Sequence, residues 1–377
     1  MNKKIMLMAG ELSGDMHGAY LVQAIKKACP DCTFYGVGGS RMREAGVDII
    51  TDIVRKSTIG FLGNLAVIIA NLPLLLKLIK KIKNIFIFYK PDVLVLIDNQ
   101  GLNMYFAAMA KKYNIKTVYY IPPQEWLWGT KEGAIRVVTT VDKVITILEK
   151  EYVYYKGLRN NVEYFGHPLL DIIPRYYQDG FANHKEAKTI GLFPGSRKQE
   201  IEKLTPLLKE IAQVLYSRDN ELRFLVAISD KSYIETIQKS FSMASIPIEF
   251  VEADSYSVIS RSQVVVGASG TLALECVIMQ TPMVVLYRLP KLDYFFAKKI
   301  LKIKVEYISL PNIIMDEMIL PEFIQEQIDN QKIADVILEM LNNKQFYTAF
   351  LEKVKNVRAK LGEPGVLESV AQSVLSC

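Results

Sequence analysis

The chain has 377 residues, of which 50% are hydrophobic and 23% charged, with a formal net charge of +6. That length exceeds one compact core and suggests two domains, and the composition excludes a disordered chain. The net charge is too modest to argue for nucleic acid, so what matters is where the lysines cluster. Four cysteines do not make a disulfide scaffold at this size, and His17, His167 and His184 show no metal-ligand spacing.

The first apolar run, after Lys3 and Lys4, ends at Gly10 and Glu11. It is too short for a signal peptide, so the expected location is the cytoplasm. KIMLMAG reads as a strand, and Ala9–Gly18 (AGELSGDMHG) as a glycine-rich loop leading into the helix AYLVQAIKKA. The loop is not GxGxxG, but through Ser13, Gly14 and Asp15 it could meet a phosphate or sugar. Cys29 and Cys32 form a lone CxxC at a helix-to-strand turn, which argues against metal or redox work. TFYGVGG follows as a strand and SRMREAG as a short helix.

Ser57–Leu76 carries no charge, but Gly60, Gly63, Asn64, Asn71 and Pro73 interrupt it, so it is not read as a membrane span. After Pro73 the spacing predicts a basic amphipathic helix. Lys77, Lys80 and Lys81 share one face, and Leu75, Leu78, Ile79, Ile82 and Phe86 lie on the other. Such a helix suits a membrane surface. It equally suits a solvated lysine face above a buried stripe.

PDVLVLID is a buried strand that ends in Asp98, followed by the helix NMYFAAMAKKY and the strand KTVYYI. A carboxylate at a strand's carboxyl end is a candidate proton acceptor, or else a cap for the next helix. VDKVITI and VEYFG continue the alternation, which signifies a parallel, doubly wound sheet.

Asp171–Lys188 lacks periodicity and reads as a linker between a domain over 1–170 and another over 189–344. The final helical stretch, 345–377, is expected to complete the first domain. In the second half TIGLFPG, RFLVAIS, IEFVE, QVVVGAS and PMVVLY are strands of a second parallel sheet. Two such domains would face each other across a cleft of strand-end loops. Gly195, Ser196 and Arg197 form a small-residue turn with a guanidinium, suited to a diphosphate.

Val264–Glu275 (VVVGASGTLALE) is the most informative segment. A β-branched run feeds a turn, Ser269–Gly270–Thr271, that opens a helix whose free N–H groups suit phosphate oxygens. Glu275, one turn on, could hold a ribose diol. An ordinary strand–turn–helix unit reads the same way.

In this order, AGELSGDMHG, GVGGSRM, PDVLVLIDNQGLN, YYIPPQEWLWG, FGHPLLD, LFPGSRKQEI, ASGTLALECVIMQTPMVVLYR and YISLPNII resemble the lipid-A-disaccharide synthases, family-19 glycosyltransferases of the GT-B fold. The resemblance spans nearly the whole chain. It implies two Rossmann-like α/β domains and inverting transfer from UDP-2,3-diacylglucosamine to the 6-hydroxyl of 2,3-diacylglucosamine 1-phosphate, with no metal or other cofactor. Asp98 matches the family's proposed general base, Arg197 and Asn312 match residues implicated in activity, and Glu275 matches the ribose carboxylate. Gln124 in PPQEW would face the cleft. The expected partners are the two acylated sugars and the inner-leaflet surface, with homodimerisation left open. Two segments depart from the family: IDNQGLN stands for IDxPDFN, and PPQEWLW stands for SPxxWAW, which leaves Glu125 an unassigned charge. A UDP-N-acetylglucosamine epimerase-like enzyme and a non-catalytic lipid-binding protein are the competing readings.

Overall fold

The computed structural model describes residues 2–52, 65–98, 100–127, 129–178, 185–242, 245–252, 254–288 and 306–377. The chain forms two units, Met1–Asp171 with Leu361–Cys377, and Ile172–Lys360.

The first unit alternates β1 (Lys4–Ala9), α1 (Leu12–Ala28), β2 (Thr33–Gly38), α2 (Ser40–Glu44), β3 (Asp48–Asp52), α3 (Leu65–Phe88), β4 (Val93–Ile97), α4 (Gln100–Lys112), β5 (Lys116–Tyr120), α5 (Lys131–Thr140), β6 (Lys143–Thr146), α6 (Glu149–Lys156) and β7 (Val162–Tyr164), and ends in the first residues of α7 (Leu169–Gln178), which continues into the second unit from Ile172. Its seven-stranded sheet runs β3-β2-β1-β4-β5-β6-β7, with every pairing parallel. Strands covered by helices on both faces must be apolar throughout, and β4 (VLVLI) is buried at every position.

The second unit contains β8 (Thr189–Phe193), α8 (Lys198–Arg218), β9 (Arg223–Ile228), α9 (Ile234–Phe241), β10 (Ile248–Glu252), α10 (Ser255–Arg261), β11 (Val264–Ala268), α11 (Thr271–Ile278), β12 (Met283–Tyr287), α12 (Leu310–Met315), β13 (Glu322–Ile324), α13 (Asn330–Asn342) and α14 (Lys344–Lys360). The sheet order is β10-β9-β8-β11-β12-β13. Helix α15 (Val366–Leu375) belongs to the first unit and packs on α1. Three bonds fasten this return. Asp171 accepts from the N–H groups of Gly365 and Leu367, each at 2.7 Å, and His167 N–H donates to Leu361 O at 2.8 Å. Gly166 precedes that contact with φ +107°, and a Cβ there would come within 2.9 Å of Leu361 O, so only glycine fits.

Several expectations change. Ala9–Gly18 is not a loop, because α1 starts at Leu12 and carries Gly14, Asp15 and Gly18 inside it. Residues 171–178 continue α7 rather than forming a linker, and 179–184 lie outside the described residues. The chain returns to the first unit at Leu361, so α14 stays with the second. Cys29 and Cys32 are joined by a disulfide across the turn between α1 and β2.

Helix α3 runs through Pro73. The part of the uncharged Ser57–Leu76 run up to residue 64 lies outside the described residues. The proposed membrane-facing stripe is corrected: Leu78, Ile82 and Phe86 are buried in the core of the first unit, with Ile79 packed beside them. Burying such side chains contributes about 1.5–3 kcal/mol each, so withdrawing three would cost as much as a domain's whole stability. Among the described residues of α3 the exposed large apolar side chains include Leu72, Leu74 and Leu76, at 45%, 49% and 56%, and, at its far end, Ile87 and Phe88, at 38% and 76%. Among the described residues no helix is long and apolar enough to cross a membrane.

Candidate active site

In each sheet the strand order reverses once, between β1 and β4 in the first unit and between β8 and β11 in the second. The crevice beyond the carboxyl ends of the strands at such a point is where doubly wound sheets bind ligands. Ser13, Asp98, Gly195–Arg197 and Ser269–Thr271 all follow one of these four strands.

Asp98 is half-buried and has φ +52°, a left-handed conformation that a non-glycine residue holds only when its surroundings enforce it. Its N–H donates to Ile121 O at 3.2 Å and to Tyr120 O at 3.4 Å. Its carbonyl accepts from Asn103 Nδ2 at 2.6 Å and from Tyr119 Oη at 3.0 Å. Ser13, in the first turn of α1, donates to Asp98 Oδ2 at 3.3 Å. The backbone is thus fixed on both sides, and the carboxylate stands at the strand end with a hydroxyl beside it. Sequence reasoning missed Tyr119 and Asn103, since their partner is a carbonyl that no pattern marks.

Asp15 is corrected. Its carboxylate is buried and accepts from the N–H groups of Gly39 (2.6 Å), Arg41 (3.0 Å) and Met42 (3.2 Å), so it caps α2 and is not available to an acceptor. Gly14 is buried against Ala9. Gln124 is exposed after β5. Glu125, unassigned from sequence, turns inward and accepts from Thr130 N–H at 2.8 Å. Glu151 lies in the first turn of α6, where its Oε2 accepts from Ile147 N–H at 3.1 Å; burial pushes its carboxyl up to about 8.

In the second unit the two expected anion-binding turns differ. At the start of α8, Glu200 Oε2 accepts from the N–H groups of Ser196 (3.1 Å) and Arg197 (3.3 Å). A carboxylate therefore already occupies part of the place where a diphosphate was expected. The Arg197 guanidinium is exposed, 3.8 Å from the same carboxylate. Glu200 stands at the third helical position, where a glutamate returning to the cap is a known sequence signal. At the start of α11 the cap is Gly270, with φ +140° and open space where a Cβ would sit, so the cap residue itself offers the first turn no side-chain acceptor. The helix dipole and N–H groups at such a start suit an anion. Ser269 Oγ donates to Ile308 O at 3.3 Å, and Thr271 opens the helix. Glu275 is buried one turn on and accepts from Tyr256 Oη at 3.2 Å.

Asn312 is also corrected. It is fully buried, its Nδ2 donates to Leu320 O (2.8 Å) and Glu322 Oε1 (2.7 Å), and its Oδ1 accepts from the N–H groups of Ile319 (2.8 Å) and Leu320 (2.9 Å). Two donors and two lone pairs are all an amide has, so none is left for a substrate. Glu322 is the hub, also accepting from Ile308 N–H, Ser309 N–H and Ser309 Oγ. No local signal in the sequence reveals it, because its partners lie ten or more residues away.

Two doubly wound parallel-sheet units are the architecture of the GT-B fold. Solved structures agree on the fold. A putative UDP-N-acetylglucosamine 2-epimerase from Listeria monocytogenes has a TM-score of 0.66 at 12% identity, covering 100% of this chain and 95% of that one. A UDP-GlcNAc 2-epimerase from Neisseria meningitidis bound to UDP-GlcNAc has a TM-score of 0.61 at 12% identity, covering 99% and 100%. The family model described as Lipid-A-disaccharide synthetase matches residues 5–370, and the chain belongs to that family of glycosyltransferases. Relatives named lipid-A-disaccharide synthase from Trichlorobacter lovleyi and Syntrophus aciditrophicus are each 32% identical, covering 99% and 100% of this chain and 97% and 98% of theirs. The epimerase-like reading is not favoured, since that likeness is one of fold alone.

Proposed function

We propose that the chain transfers a 2,3-diacylglucosaminyl group from its UDP donor to the 6-hydroxyl of 2,3-diacylglucosamine 1-phosphate. Asp98 carries the reading: a carboxylate pinned in a left-handed conformation at the strand end of the first unit's switch point. Asp98 takes the proton of the acceptor hydroxyl as its oxygen attacks the donor's anomeric carbon. The bond from that carbon to the diphosphate oxygen breaks, the configuration inverts, and UDP leaves. The first turn of α11 and Arg197 meet the charge that develops on the diphosphate, so the reaction as written needs no metal. Glu275 holds the ribose diol.

Both substrates are acylated, so the enzyme works at a lipid surface, the cytoplasmic face of the inner membrane, without spanning it. Exposed Leu72, Leu74 and Leu76, with exposed Lys77, Lys80 and Lys81 on the same helix, support this attachment. The decisive assay measures UDP release from the diacylated donor with and without acceptor. Release that needs the acceptor supports the reading; none with both substrates, or release indifferent to acceptor, overturns it.

A further inference from the structure

Among the described residues, four enclosed side chains of the first unit present a polar atom without a hydrogen-bond partner, and two of these atoms are Nδ1 of His17 and the hydroxyl of Tyr120. His17 is 3% exposed and Tyr120 0%. Their rings meet edge to face, with centroids 6.5 Å apart and planes at 83°. Buried groups of this kind are satisfied by protein or by ordered water, and a water needs polar partners on more than one side.

The surroundings suit a water. Burial holds His17 near a pKa of about 4, so its ring is neutral, with one N–H and one lone pair. His167 is neutral too, and its Nδ1 already accepts from Leu169 N–H at 3.2 Å. The carboxylate oxygens of Asp171 are engaged by Gly365 and Leu367 N–H. A neutral imidazole and a phenol can both donate and accept, so a water between them can bond to each.

The position matters for Asp98. His17 lies four residues after Ser13, on the same face of α1, and Ser13 donates to the Asp98 carboxylate. Tyr120 ends β5, and its carbonyl accepts from Asp98 N–H. Strand β4 lies between β1, which leads into α1, and β5. We propose that one internal water joins His17 Nδ1 to Tyr120 Oη, and that this hydrated pair positions Asp98 by tying the start of α1 to the end of β5. The inference rests on the reading of Asp98 as general base. His17 and Tyr120 are positioning residues that need not touch substrate.

A high-resolution crystal structure of the full chain tests the water directly. Density about 2.6–3.2 Å from both atoms is expected; a dry site, or a direct His17–Tyr120 bond, overturns the proposal. Kinetics test the positioning. Tyr120→Phe keeps the ring and is expected to lower kcat roughly 3- to 30-fold, with KM for both substrates nearly unchanged. His17→Leu should do the same, and the double variant should be no worse than either. His17→Asn, which keeps a polar atom near the place of Nδ1, should retain most of kcat. Parental kcat in Tyr120→Phe, or equal loss in His17→Asn and His17→Leu, overturns the positioning role; if His17→Leu does not fold, Tyr120→Phe and the density decide. Asp98→Asn separates the two levels. If it keeps kcat, the base reading falls and the positioning role with it; if it is inactive while Tyr120→Phe matches the parent, only the positioning fails.

Discussion

Ser13 donates its hydroxyl hydrogen to Asp98 Oδ2 at 3.3 Å, joining the first turn of α1 to the end of β4 across the switch point of the first sheet. The backbone of Asp98 is held by four other groups, so replacing its carboxylate by an amide should leave the fold intact. Asp98→Asn is expected to lower kcat by roughly 10²–10⁴-fold with little change in donor affinity. Steady-state kinetics with UDP calorimetry check this; near-normal kcat would remove Asp98 from the base role.

Asn312 should behave in the opposite way. Its amide closes four hydrogen bonds inside the α12–β13 turn, and Asn312→Ala leaves the groups of Leu320 and Glu322 without a partner. Loss of about 2–4 kcal/mol of stability is expected. Chemical denaturation measures it, and Glu322→Gln should show a loss of the same kind. An Asn312→Ala protein that melts like the parent but has lost kcat would return Asn312 to the chemistry.

These two residues show what the sequence can and cannot reveal. The alternation of apolar runs and helical periods made both sheets legible, and Asp98 was legible because it ends a strand. Asn312 and Asp15 looked functional because they sit in distinctive motifs. A motif marks an irreplaceable residue without saying whether its partner is a substrate or a distant backbone N–H. The apolar stripe of Leu78, Ile82 and Phe86 was misassigned for a related reason: an amphipathic stripe looks the same whether it meets a bilayer or the sheet beneath it. Glu200 was within reach of the capping pattern. Glu322, Tyr119 and Asn103 were not, since their roles arise from pairings that only the folded chain creates.

Glu275→Gln tests the donor half. If the buried carboxylate holds a ribose diol, UDP affinity should fall by about 1–3 kcal/mol in calorimetry. Tyr256→Phe, which removes the hydroxyl donor at 3.2 Å, is the control for a merely structural role. Unchanged UDP affinity in Glu275→Gln would make the carboxylate structural.

Stability should peak near pH 6.5. Burial lowers His17 from 6.5 to about 4 and His167 from 6.5 to about 3, while it raises Glu151 from 4.5 to about 8. Below pH 6.5 the unfolded chain binds protons that the folded histidines refuse, so stability falls as pH drops toward 4, by on the order of 3 kcal/mol for each. Above pH 4.5 the unfolded glutamate ionises while folded Glu151 keeps its proton, so this group removes stability as pH rises to about 8. Two histidines outweigh one glutamate below 6.5, and of these three groups only the glutamate acts between 6.5 and about 8. Thermal melts across this range check the peak. His167→Gln should flatten the acid side and Glu151→Gln the alkaline side; unchanged slopes would mean that neither group is buried in its neutral form.

The last prediction concerns the lipid surface. Leu72, Leu76 and Lys80 are spaced one turn apart along α3, and Leu74, Lys77 and Lys81 are exposed beside them, while Leu78, Ile82 and Phe86 belong to the core. The outward side thus offers leucines for the headgroup boundary and lysines for anionic lipid. Lys81 also donates to Ile50 O at 2.6 Å, so part of its reach is already used. Each lysine near such a surface contributes about 1 kcal/mol, and salt screens it. Leu72→Ser, Leu74→Ser and Leu76→Ser together should lower partitioning onto anionic vesicles at least roughly tenfold at any salt concentration. Lys77→Gln with Lys80→Gln should instead remove the salt-sensitive part. Neither set should alter UDP affinity if, as proposed, the donor is held by the second unit. If the serine variant sediments with vesicles as the parent does, the first half of α3 is an ordinary surface helix and the lipid contact lies elsewhere on the chain.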